Sequence, residues 1–274
     1  MSDAAYFVPI NDGDPGDGDA AVERFRPTAH TVSTWAPTMQ HGAPPSALLA
    51  RALERCGGRP GARLTRVCVE LLGPVPLTEI EVRTRIDRPG RKVELVVAEL
   101  WAAGPDGTRR AVARGTAWRM QTADLPEVAH AADAPLPPPA QGIVEHPGSE
   151  FWQTGFVRTL DWRTITPIGA PGPSAAWLRT DLALVEGEAP TPVERLFTVA
   201  DVANGVGSKL DPAVWTFLNT DLTVHLFREP VGEWVGISAE TSTGPDGVGM
   251  TAGVLYDEDG AVGRIAQTVQ VRRR

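Results

Sequence analysis

The sequence predicts an α+β fold built from two tandem units, each with a long helix wrapped by a curved antiparallel sheet. Three observations support this prediction: a proline-rich break near the middle of the chain, one helix-like segment in each half, and four strand-like segments after each helix. A helix with one apolar stripe must bury it against another layer, and a sheet with one apolar face supplies that layer.

The break between the units lies at residues 122–149. This stretch contains the run Pro137-Pro138-Pro139 and three other prolines, and it has no hydrophobic period. Such a composition is typical of a linker that is stiffened locally by proline. We therefore expect the first unit to cover residues 20–121 and the second to cover residues 150–274.

Each half begins with a helix signal. Residues 44–56 open on two prolines, keep apolar residues on one stripe, and stop at Gly57-Gly58; this is the usual asymmetry of proline at a helix start and glycine after its end. In the second half, residues 191–194 read Thr-Pro-Val-Glu, which is a capping box with proline at the first helical position.

The strand-like segments of the two halves correspond in order, which predicts an internal duplication. The corresponding segments are 63–72 with 215–227, 77–86 with 233–243, 92–102 with 248–256, and 110–120 with 261–271. The Asp-Gly turns at 106–107 and 259–260 lie 153 residues apart, and this offset also aligns Arg114 with Gln267. Additional strands are expected before the helices, at 25–35, 151–161 and 176–185. We expect the two units to pair edge to edge, because this covers strand edges that otherwise promote aggregation.

The composition limits the kinds of partner. The chain has 42% hydrophobic and 22% charged residues and a formal net charge of −8, which disfavours binding to nucleic acid or to an anionic membrane. The two cysteines form no disulfide framework, no run approaches 18 apolar residues, and the acidic segment 11–19 follows no secretory signal. We expect a cytoplasmic protein, and the excess of arginine over lysine is typical of a GC-rich bacterial genome.

The common motifs of enzyme sites are missing from the sequence. It contains no Gly-x-Ser-x-Gly elbow, no Walker loop and no His-Glu-x-x-His, and no two of its five histidines have metal-ligand spacing on one element. We therefore predict neither a metal site nor a cofactor.

Several polar residues interrupt apolar patterns instead. Asp201 lies late in the second helix, on the shoulder of its apolar stripe, and Gln267 alternates with apolar residues of the last strand. Each is open to a structural interpretation, as a solvated aspartate at the helix edge or as a satisfied buried glutamine. Strand alternation puts Asn219 on the face opposite Leu218 and Leu222, so it faces the helix only if a bulge intervenes; otherwise Thr220 is better placed.

The start of the first helix is the last candidate. His41-Gly42 directly precedes it, and exposed N–H groups at a helix start favour an anion or a developing oxyanion. A loop histidine beside a turn glycine is the structural alternative.

Taken in order, the segments 40–45, 221–228 and 267–272 resemble those of the acyl-CoA thioesterase II family. This resemblance implies a double hot-dog fold, a homodimer, and hydrolysis of acyl-CoA to a free acid and CoA by a water that an Asp, a hydroxyl residue and a Gln orient. Asp201 and Gln267 match that pattern, whereas Asn219 stands at the hydroxyl position. The expected catalytic residues are Asp201, Asn219 and Gln267, and the expected substrate-binding residues are His41, Gly42 and Thr220.

Two other functions stay open at this point. Enoyl-CoA hydratase chemistry calls for an Asp and a His a few residues apart after a strand, and no such pair follows Asp201. A hot-dog module that binds acyl-CoA or a fatty acyl group without turnover is the non-catalytic alternative, and the departure at Asn219 favours it.

Overall fold

The computed structural model describes residues 4–10, 22–104, 106–144, 152 and 155–274. The acidic segment 11–19 and the linker residues 145–149 lie outside these ranges. The helices are α1 (Ala43–Arg55), α2 (Pro192–Ala200) and α3 (Ala203–Gly207). The strands are β1 (Ala5–Pro9), β2 (Val22–Pro27), β3 (Ala62–Leu71), β4 (Ile80–Arg88), β5 (Val93–Ala103), β6 (Arg109–Gln121), β7 (Asp161–Thr166), β8 (Ser174–Arg179), β9 (Ala183–Val185), β10 (Trp215–Asn219), β11 (Asp221–Leu226), β12 (Val235–Thr243), β13 (Val248–Asp257) and β14 (Gly260–Arg273).

Both helix predictions are confirmed to within one or two residues at the start of α1 and α2. Pro44 and Pro45 lie in the first turn of α1. At α2 the Thr191 hydroxyl accepts a hydrogen bond from the Glu194 N–H at 3.1 Å, which satisfies one of the N–H groups that a helix start leaves unpaired.

The described strands form a single sheet, and β11 is paired with β3 at its centre. These two strands come from corresponding segments of the two halves, so the predicted edge-to-edge pairing is confirmed. The order is β7-β8-β12-β13-β14-β11-β3-β6-β5-β4-β2-β1-β9, with β10 also paired to β14.

The sheet is strongly curled. Strands β8 and β9 lie at opposite ends of the sheet order, although only residues 180–182 separate them in sequence. Because an extended chain spans at most about 3.6 Å per residue, the two ends of the sheet must lie close together. The prediction of one strand over 176–185 is therefore wrong: the segment is two strands that close the curl from both sides.

The other additional strands also differ from the sequence prediction. Strand β2 ends at Pro27, and a 3-10 turn at Ala29–Thr31 replaces the rest of the segment 25–35. Strand β7 begins only at Asp161. The N-terminal strand β1, which the sequence analysis did not predict, pairs with β2 and, in parallel, with β9.

Helices α1 and α2 lie inside the curl, antiparallel to each other. At one end the Thr191 hydroxyl donates a hydrogen bond to the Glu54 carboxylate at 2.7 Å. At the other end Gly42 lies against Asp201. Helix α1 is buried from Ala43 to Leu53, as expected of a helix surrounded by other elements.

The described part of the linker, residues 122–144, contacts the surface of the second half. The Trp177 indole N–H donates a hydrogen bond to the Pro137 carbonyl at 2.6 Å, and Asp133 pairs with Arg264 of β14 at 2.6 Å. Among the described residues, no helix has both the length and the apolar character needed to span a bilayer.

Candidate active site

Four elements bring polar side chains together at Asp201. The carboxylate lies at the C-terminus of α2 and is only 2% exposed. Asn219 reaches it from β10, Gln267 from β14, and His41 and Gly42 from the loop that leads into α1.

A break in the strand directs Asn219 inward. Thr220 separates β10 from β11, and this irregularity resets the alternation so that Asn219 and the buried Leu222 face the same interior. The bulge that the sequence required for Asn219 to face the helix is thus present. Thr220 itself is exposed, and its hydroxyl donates to Asp221 at 3.3 Å. The expectation that Thr220 binds substrate is therefore corrected: its side chain points away from the site.

One carboxylate oxygen of Asp201 is held by two amides. The Asn219 side-chain N–H donates to Oδ1 at 2.6 Å. The Gln267 side-chain N–H donates to the same oxygen at 3.3 Å and to the Asp201 carbonyl at 3.2 Å. These bonds fix the orientation of the carboxylate, and they leave Oδ2 directed towards the start of α1.

Gly42 provides the space for that second oxygen. A Cβ atom at this position would lie 2.5 Å from Oδ2 of Asp201. The backbone of Gly42 has φ −64°, a conformation that any residue adopts. Glycine is therefore required here for space rather than for backbone freedom.

Burial shifts the ionisation of both titratable groups. It raises the pKa of Asp201 to about 6, against the smaller opposing effect of the hydrogen bonds from Asn219 and Gln267. It also lowers the pKa of His41 to about 4. At neutral pH the site thus contains an ionised carboxylate and a neutral imidazole.

His41 and Asp201 lie close together but do not form an ion pair at neutral pH. Nδ1 of His41 is 3.4 Å from Oδ2 of Asp201 and accepts a hydrogen bond from the Ala43 N–H at 3.1 Å. With Nδ1 acting as acceptor, the neutral imidazole carries its proton on Nε2.

The sequence analysis did not identify the residues that hold the imidazole in place. The Phe156 ring packs on the His41 ring with centroids 4.7 Å apart, and Tyr6 of β1 packs on Phe156 at 5.5 Å. The Tyr6 hydroxyl is hydrogen-bonded to Thr159 at 2.6 Å. Because β1 reaches this place only through long-range pairing, local sequence patterns contain no signal for it.

Two hydrogen-bonding groups beside the carboxylate are free. The side-chain oxygen of Gln267 is buried and has no hydrogen-bond partner within the described part of the chain. In the same described ranges, the Gly42 N–H has no recorded acceptor. Since Pro44 and Pro45 have no N–H and Ala43 donates to His41, Gly42 is the donor that the helix start leaves available.

The first half lacks this arrangement. Leu53 in the last turn of α1 lies against Gly115 of β6, where a Cβ atom would come within 3.1 Å of its side chain. Gly115 therefore faces inward and the neighbouring Arg114 does not. The alignment of Arg114 with the inward-facing Gln267 is corrected accordingly, because an offset of 153 residues joins opposite faces of the sheet.

Within the residues that the structure describes, no group of three or more His, Cys, Asp or Glu side chains is arranged to hold a metal ion. The chemistry available at Asp201 is therefore that of a buried, oriented carboxylate beside amide, imidazole and backbone N–H groups.

Comparison with known proteins identifies the class. The fold is a hot-dog fold: a conserved hot-dog protein of unknown function from Alicyclobacillus acidocaldarius superposes with a TM-score of 0.73, at 15% identity and with 94% of each chain covered. The predicted double hot-dog α+β class is thereby confirmed. Sequence models of the acyl-CoA thioesterase N-terminal and C-terminal domains match residues 31–120 and 133–271. The chain belongs to the acyl-CoA thioesterase family.

Other solved structures share the fold. The tesB protein of Mycobacterium avium subspecies paratuberculosis has a TM-score of 0.62 at 16% identity, covering 92% of this chain and 93% of that one. The acyl-CoA thioesterase II TesB2 of Mycobacterium marinum has a TM-score of 0.59 at 13% identity, with 92% of each chain covered. No curated protein sequence matches the chain at a significant level.

Replacing Gly42 by alanine tests the space requirement at the site. We expect Gly42→Ala to displace the Asp201 carboxylate from its hydrogen bonds and to lower the free energy of unfolding by about 1–3 kcal/mol, as overpacking of a buried site does, which urea titration at pH 7 measures. Gly58→Ala is the matched control, because nothing lies within 4 Å of a Cβ there. Equal stability of the two variants would show that Gly42 does not constrain the carboxylate.

The raised pKa of Asp201 also predicts a stability change. The folded chain binds this proton more tightly than the unfolded chain, so ionisation costs stability above about pH 6 and costs nothing below about pH 4. A shift of about two pKa units corresponds to about 3 kcal/mol. We expect Asp201→Asn to raise the free energy of unfolding by up to that amount at pH 7. Urea titrations at pH 7 and pH 4 measure it, and a variant less stable than wild type at pH 7 would contradict it.

Proposed function

We propose that this protein hydrolyses acyl-CoA thioesters to a free carboxylic acid and CoA, with Asp201 as the general base. The proposal rests on how the carboxylate is held: two amides fix Oδ1, while Oδ2 faces the start of α1, where Gly42 leaves room for it. A carboxylate with a pKa of about 6 is ionised at neutral pH and basic enough to take a proton from water.

The reaction follows from these groups. A water held by Oδ2 of Asp201 and by the free side-chain oxygen of Gln267 attacks the thioester carbonyl carbon, and its proton passes to Oδ2. The Gly42 N–H and the positive end of α1 stabilise the negative charge that develops on the carbonyl oxygen. The C–S bond then breaks, and the departing thiolate takes the proton from Asp201. No covalent acyl-enzyme forms.

Asn219 is a positioning residue in this scheme. Its side-chain N–H groups donate to Asp201 at 2.6 Å and to the Asp221 carbonyl at 3.3 Å, so they are not available to the water. A homodimer and a cytoplasmic location stay predictions that rest on the family resemblance and on the sequence.

Loss of the carboxylate is the direct test of catalysis. We expect Asp201→Asn to lower kcat at least about a hundredfold, the usual effect of removing a general base, in an assay of thiol release from a panel of acyl-CoAs. Asp181→Asn, which alters a side chain that is 86% exposed, is the control. Binding of acyl-CoA without turnover by the wild-type protein would support the non-catalytic alternative, and unchanged turnover in Asp201→Asn would exclude Asp201 as the base.

The pH dependence of kcat/KM provides a second test. We expect the rate to fall tenfold per pH unit below about pH 6, because a protonated Asp201 cannot accept a proton from water. Asn219→Leu removes a hydrogen bond that stabilises the carboxylate, so this limb should move to higher pH. Thr220→Val, one residue away but outside the site, should leave the limb in place. A profile that is flat between pH 5 and pH 8 would contradict the assignment.

A further inference from the structure

Two adjoining cavities lie beside the C-terminal part of β14, beyond Gln267 along the strand. The inner cavity has a volume of about 190 Å³ and is lined by Asn204, Ser208, Leu210, Phe217, Val269 and Val271, among others. The outer cavity has a volume of about 410 Å³, and Trp215, Asp246, Arg272 and Arg273 are part of its lining. The two cavities share the lining residues Leu210, Thr243 and Val271, so they adjoin each other at these side chains.

The inner cavity is lined by residues that are near neighbours of Asp201, Asn219 and Gln267 along the chain. Asn204 follows Asp201 by three residues, about one helical turn. Phe217 and Val269 are each two residues from Asn219 and Gln267 on their strands and therefore share the same face.

The outer cavity has a cationic rim in a chain whose net charge is −8. Arg272 and Arg273 are exposed, and Arg272 donates to the Gly247 and Val271 carbonyls. No carboxylate of the described residues lies within ion-pair distance of either guanidinium. Asp246 is the one acidic residue recorded in the linings of these two cavities.

We propose that these cavities form the channel for the coenzyme A part of the substrate, with the phosphates at Arg272 and Arg273 and the pantetheine arm in the inner cavity. The inference rests on the proposed thioester hydrolysis. It assigns the CoA end of the substrate to this channel, so the acyl group lies on the other side of Asp201.

Charge, polarity and length each favour this occupant. A hydrocarbon acyl chain has no group that can pair with an arginine, whereas the CoA phosphates can form charge-assisted hydrogen bonds with guanidinium groups. The inner cavity places Asn204 and Ser208 among apolar side chains, which suits an arm containing two amide groups better than a plain hydrocarbon. The pantetheine arm has about thirteen bonds from sulfur to phosphorus. An extended chain spans about 3.3–3.6 Å per three bonds, so the arm is about 15 Å long. The five to six residues from Gln267 to Arg272 and Arg273 span about 16–20 Å of strand.

The test compares acyl-CoA with the matching acyl-pantetheine, which has the arm and the thioester but no phosphates. In the double variant Arg272→Gln/Arg273→Gln we expect KM for acyl-CoA to rise about tenfold with little change in kcat, as two exposed charge contacts would give. The preference for acyl-CoA over acyl-pantetheine should fall by the same factor. Arg264→Gln, which changes another exposed arginine of β14 that lines neither cavity, is the control and should match wild type. An unchanged preference in the double variant would overturn the proposal.

A second variant separates the two ends of the substrate. Leu210→Trp narrows the passage that both cavities share, so it should raise KM by a similar factor for short-chain and long-chain acyl-CoAs. Loss of long chains alone would mean that the channel holds the acyl group, which would overturn the proposal.

The proposal can be tested even if the protein proves inactive. Calorimetric titration with CoA alone should give a dissociation constant that is about tenfold weaker in the double variant than in wild type or Arg264→Gln. If wild type binds CoA in this way but hydrolyses no thioester, the proposed function fails and the channel stands. If hydrolysis occurs and CoA binding is the same in all three proteins, the channel fails and the function stands.

Discussion

The structure depends on one constraint: a buried carboxylate must be accommodated where α2 ends and α1 begins. At the C-terminus of α2 alone, a negative charge would be unfavourable, because it faces the negative end of that helix dipole. The antiparallel arrangement places the start of α1 beside the same carboxylate, and its positive end offsets this effect. Two amides from the sheet satisfy Oδ1 of Asp201. The remaining cost of burial appears as the raised pKa of Asp201, and the proposed role as a general base depends on this raised pKa.

The helix pair has a second junction, where α1 ends and α2 begins. Comparing it with the junction at Asp201 shows why only the latter is a candidate site. At the far end Glu54 is also buried enough for its pKa to rise to about 7. Its carboxylate, however, already accepts a hydrogen bond from Thr191, which in turn caps α2. Leu53 and Gly115 fill the corresponding space in the first half with hydrocarbon. Duplication of the unit thus supplied two junctions, of which one stabilises the helix pair and the other leaves polar groups unpaired.

The sequence predicted the features that depend on local chemistry and failed where distant segments decide the structure. Proline, glycine and the capping box located both helices, and alternation located the paired strands, because these signals act within a few residues. The pairing of strand β1 and the separation of β8 from β9 depend on how the sheet closes. The local sequences of these strands do not predict this closure. Asn219 faces inward because of a bulge at Thr220. The alternation of residues along the strand showed that such a bulge was needed but did not predict that it exists. The alignment of Arg114 with Gln267 was wrong for a related reason, since residues related by a constant offset in sequence can lie on opposite faces of their strands.

The amide of Asn219 changes which groups can hydrogen-bond to a water beside Asp201, but it does not prevent the proposed hydrolysis. A hydroxyl both donates and accepts, so it can orient a water directly. Asn219 instead uses its N–H groups on Oδ1 of Asp201 and on a backbone carbonyl. The groups left to hold a water are Oδ2 of Asp201 and the unpaired oxygen of Gln267, and a water bound there can transfer a proton to Oδ2 directly. In the proposed reaction Asn219 therefore acts on the base rather than on the nucleophile, so the departure from the family pattern is compatible with the hydrolysis that we propose.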